Sequence, residues 1–475
     1  MPRTLLYLAV LWISLIIAGC GRGDGPKPLT TQAVDAALAP PVMEALRVQA
    51  AAIHHPMLQP LEIQPDEPLS PDEAAVLAVL ANPSLRAVRD ERKLADAQLL
   101  QAGVLPNPVL TIGNDFPYTG PDHRTAYSFG LAWEATALVA RPAKLAEART
   151  HRESVDLDIA WQEWQVAQSA KGAAWKVLSL KEQESAAMQA NDDLLTNLQR
   201  IRKAVDLRQK TAVDLAAAAA AQQESWTAVL ETQRDLHKQE LALKKLLGLP
   251  AQAQINLRPG DLPESAALPP AQELQTGIED RRLDLLALRR GYDSQEAAVR
   301  AAVLGRFPKI TPGGATARDT AGAYTYGYSL GIDLPIFDRN QGAIATEKAT
   351  RQKLFDEFTT RVFEGRSEIA VSLEEIRSLG VQIASGESAL AVQKDLVAQY
   401  QRAVDTGNAD VLSYYLARND LNKRRIEILK LKQERIDAWI ELENASGMYL
   451  GRTAAATTRP PTPTSSAPAG EGVAP

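Results

Sequence analysis

The chain has 475 residues, a formal net charge of −6, 45% hydrophobic and 23% charged residues, but only 5% aromatics. One cysteine excludes an intrachain disulfide, and five histidines without ligand spacing beyond the adjacent His54-His55 argue against a Cys/His metal site. The acidic balance argues against general nucleic-acid binding, and long stretches rich in Ala, Leu, Gln, Glu and Arg favour long helices over compact sandwiches.

The chain opens with Arg3, an apolar run from Leu5 to Ile17, and then Ala18-Gly19-Cys20. A charged start, a short apolar core and small residues before a cleavage point make an export signal over 1–19. The run is too short for a transmembrane helix, which needs roughly 20 residues. Ile17-Ala18-Gly19-Cys20 resembles the bacterial lipobox, in which the cysteine is acylated and becomes the new N-terminus. Cys20, the one cysteine of the chain, stands where lipid attachment needs it. Residues 20–70 read as a lipidated tether with short helical pieces. The segment 451–475, rich in Thr, Pro, Ala, Ser and Gly, reads as a disordered tail.

Between these lies one unit written twice, with an offset of about 200 residues and a linker over 251–271. Ser84-Leu85-Arg86-Ala87-Val88-Arg89 corresponds to Asp284-Leu285-Leu286-Ala287-Leu288-Arg289, and Pro108 to Pro308. Tyr127-Ser128-Phe129-Gly130 corresponds to Tyr328-Ser329-Leu330-Gly331, one residue out of step. The repeats span 71–250 and 272–450. Each predicts a first helix (71–104; 272–304) and two strands (about 108–116 and 125–135; about 308–316 and 324–335). A very long helix follows (139–206; 340–405), then a tip and a returning helix. Val166, Ala170, Ala173, Val177 and Leu180 step by 4, 3, 4 and 3, as do Leu373, Ile376, Gly380 and Ile383 by 3, 4 and 3. An average step of 3.5 predicts a left-handed coiled seam. The fold class is mainly α with a small β part, built from a duplicated helix–strand–strand–long helix–helix unit.

The strands carry the membrane signal. Tyr324, Tyr326, Tyr328, Leu330, Ile332 and Leu334 alternate with Thr325, Gly327, Ser329, Gly331 and Asp333. Tyr127, Phe129, Leu131 and Trp133 alternate with Ser128, Gly130, Ala132 and Glu134. Strict alternation over about ten residues is the period of a transmembrane barrel strand, apolar side to lipid and polar side to water. Tyr127, Phe129, Trp133, Tyr324, Tyr326, Tyr328 and Leu330 are therefore the expected lipid-facing residues. Segments Tyr118 to Arg124 and Ala317 to Gly322 read as exposed hairpin loops. Four strands cannot enclose a lumen, since barrels need about eight, so several copies must share one barrel.

This arrangement resembles the TolC-type outer-membrane efflux factors over residues 70–450. The carriers are Asn82-Pro83, Leu105-Pro106-Asn107-Pro108, and the run Leu334-Pro335-Ile336-Phe337-Asp338-Arg339-Asn340-Gln341-Gly342. The last run is most similar to the heavy-metal branch. The resemblance implies a homotrimer with a helical barrel in the periplasm and a shared 12-strand transmembrane β-barrel in outer-membrane lipid. It also implies a periplasmic adaptor and an inner-membrane pump of the resistance-nodulation-division type, with no cofactor and no catalysis. The candidate periplasmic gate is the pair of hairpin tips, with Asp405, Gly407 and Asp410 in the second and Asp206 and Asp214 in the first. The first tip, Arg208-Gln209-Lys210-Thr211, lacks the glycine that the second keeps. Three other readings remain at this point. The same duct could serve type I protein secretion. A periplasmic adaptor lipoprotein would show one helical hairpin inserted in Gly- and Val-rich β domains, whereas two hairpins stand here. An enzyme would need a nucleophile–base set or a phosphate loop, and none stands out.

Overall fold

The computed structural model describes residues 27–64, 67–260, 268–406, 408–409 and 411–450. The export signal, Cys20, Gly407, Asp410, residues 261–267 of the linker and the tail 451–475 lie outside the described residues. The chain divides into a unit up to Pro41 and a unit from Val42 onward. The first holds helix α1 (Thr31–Ala37), whose Thr30 side chain caps the start by accepting from the Ala33 N–H.

The second unit starts with α2 (Met43–Ala51), α3 (Pro71–Ala81) and α4 (Ser84–Gly103). Hairpin β1 (Val109–Asp115) and β2 (Ala126–Ala132) follows, then α5 (Ala137–Asp206) and α6 (Ala212–Leu246). The second repeat runs through α7 (Ala271–Gln275), a short 3-10 turn, α8 (Leu283–Leu304), β3 (Lys309–Arg318) and β4 (Tyr324–Asp333). It closes with α9 (Gln341–Asp405) and α10 (Val411–Ser446). At 1.5 Å per residue α5 is about 105 Å long, beyond the span of any single globular core.

The first helix of each repeat differs from the expectation of one continuous helix, because each is broken. In the first repeat the break is Asn82, extended at φ −61°, ψ 120°. A residue before proline is pushed out of the helical region. The Asn82 Oδ1 then accepts from the Ser84 N–H at 2.9 Å and the Ser84 hydroxyl at 2.7 Å, which restarts the chain as α4. In the second repeat Gly277 supplies the break with φ 69°, a conformation that glycine adopts without steric cost.

Helix α5 is the hub: it packs against α3, α4, α6, α8 and α10. Its Ala170, Ala173 and Val177 are buried with Leu77, Leu236 and Leu243, and Val166 and Leu180 flank them half-buried. In α9 the seam is Leu373, Ile376 and Ile383, with Leu379 buried beside them. Gly380 has nothing within 4 Å of the place a Cβ would take, so it makes no close helix approach and the larger Leu379 fills the turn.

The two repeats are joined through a buried arginine. Arg282, 1% exposed, donates through Nε and Nη2 to both oxygens of Asp284 at 3.0 and 2.7 Å. Its Nη1 reaches Glu368 at 3.0 Å and the Ala445 carbonyl at 3.2 Å, and its guanidinium lies 5.0 Å from the ring centre of Trp161 in the first repeat. Arg361 adds a third guanidinium hydrogen bond to the Asp284 carboxylate, at 2.9 Å. Burial, the largest effect, pushes the Asp284 carboxyl up, but the hydrogen bonds and charges of Arg282 and Arg361 together outweigh it and hold it below its ordinary value. A depressed carboxyl contributes stability above the ordinary aspartate value of about 3.9, and that contribution is lost as pH falls through the lowered folded value. Arg282→Ala leaves Asp284 with Arg361 as its one remaining charged partner among the described residues and should cost about 3 kcal/mol, whereas Arg282→Met together with Asp284→Leu should cost far less. Guanidinium unfolding followed by circular dichroism checks both, and at pH 2.5 the gap between wild type and Arg282→Ala should shrink.

Candidate functional site

The four strands form one antiparallel sheet in the order β1-β2-β3-β4, so a hairpin from each repeat pairs through β2 and β3. The duplication holds at residue level: Asn114 pairs with Tyr127 as Gly314 pairs with Tyr328, and Ile112 with Phe129 as Pro312 with Leu330. The register sorts the faces. Directly opposite residues share a face, so Leu110, Ile112, Phe129, Leu131, Ile310, Tyr326, Tyr328, Leu330 and Ile332 share one. Thr111, Gly113, Ser128, Gly130, Gly313, Ala315, Gly327 and Ser329 share the other. Tyr324, Tyr326 and Tyr328 are 79%, 88% and 91% exposed, so the described residues leave the apolar face uncovered there. The second hairpin is the longer one, since β3 continues through Ala317 and Arg318, paired with Thr325 and Tyr324. This corrects the loop expected at Ala317 to Gly322: the turn is 319–323, closed by Asp319 Oδ1 accepting from the Gly322 and Ala323 N–H groups at 2.7 and 2.8 Å.

Of the seven expected lipid-facing residues, six lie on the apolar face within β2 and β4. The seventh, Trp133, follows the last residue of β2. Its backbone N–H still bonds to the Pro312 carbonyl, and its indole N–H donates to the Pro106 carbonyl at 2.8 Å. The outer edges of β1 and β4 have no partner strand among the described residues.

The other end of the molecule is the helix tips. Asp206 is exposed and ends α5. Without a glycine here, Arg208 takes the left-handed conformation, φ 58°. Asp214 is committed to a cap: its Oδ2 accepts from the Thr211 N–H and hydroxyl, both at 2.9 Å, and Thr211 Oγ1 accepts from the Asp214 N–H. The bond from the Thr211 backbone N–H, then that from its hydroxyl, holds the Asp214 carboxyl below its ordinary value, so the cap persists until acid pH. In the second tip Asp405 is the last residue of α9; Gly407 and Asp410 lie outside the described residues.

What ties the two helical hairpins together lies back from the tips. The Asp193 carboxylate on α5 takes both Nε and Nη2 of Arg418 on α10. Arg418 Nη1 also donates to the Tyr414 hydroxyl at 2.6 Å, and Asn422 Nδ2 to Asp193 at 3.4 Å. Tyr415 packs edge-on to Tyr414, with ring centres 4.9 Å apart, and Arg200 lies 6.0 Å from its ring centre. Burial raises the Tyr415 hydroxyl above its ordinary value, so it stays protonated. Asp193 precedes Asp206 by 13 residues, about 20 Å along the helix. Sequence reading missed this cluster; the i, i+4 series Tyr414, Arg418, Asn422 was the available signal.

Among the described residues no group of three or more His, Cys, Asp or Glu is placed to hold a metal ion, and no helix is long and apolar enough to cross a membrane. The sorted sheet can meet lipid on one face and water on the other, and the helices can continue a water-filled path.

Comparison with known proteins agrees with this geometry. Residues 277–448 match the family described as Outer membrane efflux protein. Over 294 residues the chain is 26% identical to the cobalt-zinc-cadmium resistance protein CzcC of Cupriavidus metallidurans, covering 61% of this chain and 69% of that protein. The fold is shared with CusC at a TM-score of 0.68 and 16% identity, over 84% of this chain and 98% of that one. It is shared with VceC of Vibrio cholerae at 0.67 and 15%, over 80% and 96%. The open-state MtrE channel of Neisseria gonorrhoeae gives 0.65 and 17%, over 80% and 89%.

The Asp193–Arg418 pair is partly exposed, which limits its worth. A double-mutant cycle with Asp193→Ala and Arg418→Ala should give a coupling of about 1 kcal/mol, reduced in 1 M salt. Additive single effects in the unfolding free energy would show that the two side chains do not interact in solution.

Proposed function

We propose that this chain, an outer membrane efflux protein by the pattern of its second repeat, is the outer-membrane exit duct of a tripartite efflux system. Three copies share a 12-strand barrel, and their helical hairpins continue as one tunnel in the periplasm. The observation that carries this reading is the four-stranded sheet with both edges open, one face apolar and the other small and polar. In hydrocarbon every backbone N–H and C=O must be paired within the protein. Joining β4 of one copy to β1 of the next satisfies the edges, and closure puts Thr111, Ser128, Gly130 and Ser329 on the lumen side. Helices α6 and α9, which have no extensive contact with each other among the described residues, then meet across copies. This would cover Trp226 and Leu230 on one and Phe363, Val371 and Val381 on the other, all exposed in the single chain.

In this reading Cys20 carries acyl chains that add to the hold of the barrel, because one lipid chain alone binds marginally. The tips meet around the axis, where Asp206, Asp214, Asp405 and Asp410 repeat threefold beside Gly407 and narrow the aperture. A periplasmic adaptor docks there and an inner-membrane pump, of the resistance-nodulation-division type, supplies the solute. The similarity to CzcC, a cobalt-zinc-cadmium resistance protein, makes these cations the first solutes to test. The same duct serving protein secretion differs in the pump, not in the fold.

Leu330 and Ser329 are sequence neighbours on opposite faces near the middle of β4. Leu330→Arg should cost about 2–4 kcal/mol at the bilayer midplane and abolish single-channel conductance in planar bilayers. Ser329→Arg should retain the channel with a lowered conductance, since the added charge projects into a wide lumen. Equal damage from both would refute the sidedness on which the reading rests.

A further inference from the structure

Among the described strand residues, the apolar face carries one ionised side chain, Arg318. It is the last residue of β3, beside the turn at 319–323. Its guanidinium lies 5.8 Å from the ring centre of Tyr127 on β2 and 5.8 Å from that of Tyr324 on β4. The cation therefore spans three strands. Among the described residues its side chain has no ion pair or hydrogen bond, and its Nε is buried without a partner. The nearby carboxylates are engaged elsewhere, Asp319 by its own turn and Asp122 by the Thr320 hydroxyl at 2.8 Å.

We propose that Arg318, framed by Tyr127 and Tyr324, binds the phosphate of an anionic lipid headgroup in the outer leaflet. The inference rests on the sheet spanning the membrane. Depth comes first. Arg318 lies six residues beyond Pro312, the partner of Leu330 near mid-strand. That is about 20 Å along the strand and about 14 Å of height at a tilt near 45°, half of a hydrocarbon core of about 30 Å. A guanidinium there sits at the headgroup level, where tyrosines also collect and a charge avoids the cost of the midplane. Chemistry comes second. A guanidinium attracted to aromatic rings can still donate the N–H groups of its two terminal nitrogens to a phosphate oxygen pair. The buried Nε is closed to phosphate as it is to water, so the two terminal nitrogens, Nη1 and Nη2, are the donors that would face the headgroup. Position comes third. β3 is an inner strand, with β2 and β4 of the same chain on either side, so closure with further copies leaves Arg318 on the outer wall.

The test uses the full-length protein. Wild type is first mixed with vesicles of phosphatidylcholine and phosphatidylglycerol and floated. It is then released into detergent, and retained lipids are counted by native mass spectrometry. Wild type should retain phosphatidylglycerol over phosphatidylcholine, and Arg318→Gln should reduce that preference about tenfold, as loss of one charge-assisted paired contact implies. Arg318→Lys, which keeps the charge without the fork, should fall between them and guards against a folding defect in the glutamine variant. Inorganic phosphate at 10 mM, about the concentration of a buffer, should not displace the lipid; displacement would assign the contact to free anions and overturn the lipid site. Flotation with a preference indifferent to Arg318 would overturn the site and leave the duct standing. Failure of wild type to float would overturn the membrane reading and the site with it.

Discussion

An antiparallel sheet of four strands has two open edges, and everything else in this chain follows from where those edges can be satisfied. In water an exposed edge bonds to solvent and a charged or proline-bearing strand keeps it from pairing. Here the edge strands β1 and β4 carry Leu110, Ile112, Tyr326, Tyr328 and Leu330 on one side, a surface suited to hydrocarbon. Hydrocarbon offers the edge nothing to bond with. The unit is thus complete on its faces and incomplete on its edges, and the proposed closure with further copies of itself would pair them.

The duplication makes this economical. Equivalent pairs, Asn114 with Tyr127 and Gly314 with Tyr328, place each repeat's hairpin in the same register, so one chain contributes two equivalent hairpins to one continuous sheet. The repeats diverge where they are joined. Position 82 is an asparagine that restarts a helix, whereas position 282 is the arginine that fastens the repeats together through Asp284, Glu368 and Trp161. Helix α5 runs from the sheet to the tip and touches five other helices, so strand position and tip position are linked through one rigid element. The Asp193–Arg418 contact lies on that element, between the sheet and the tip.

Much of this was legible in the sequence because it repeats with a fixed period. The two-residue alternation around Tyr328 and the 3.5-residue steps around Ala170 each involve many residues, so no single exception hides them. What escaped involved single residues or distant pairs. Ala317-Arg318-Asp319-Thr320 has turn-like composition, yet pairing with Tyr324 and Thr325 draws its first two residues into the strand. Asn82-Pro83 was legible as a motif, but the helix break it causes depends on the Asn82 side chain meeting Ser84. Thr211-x-x-Asp214 is a capping pattern, and reading the carboxylate only as an aperture charge overlooked its local hydrogen bonds. Asp193 and Arg418 are 225 residues apart on polar helix faces, where one charged residue looks like any other until the helices are side by side.

The central claim is that one chain cannot close the sheet and three can. Native mass spectrometry of the protein extracted from membranes with its barrel folded tests it most directly. The account predicts a dominant species of three mature chains that withstands detergent dilution. A folded single chain, stable under the same conditions and with its strands protected from hydrogen exchange, would contradict it.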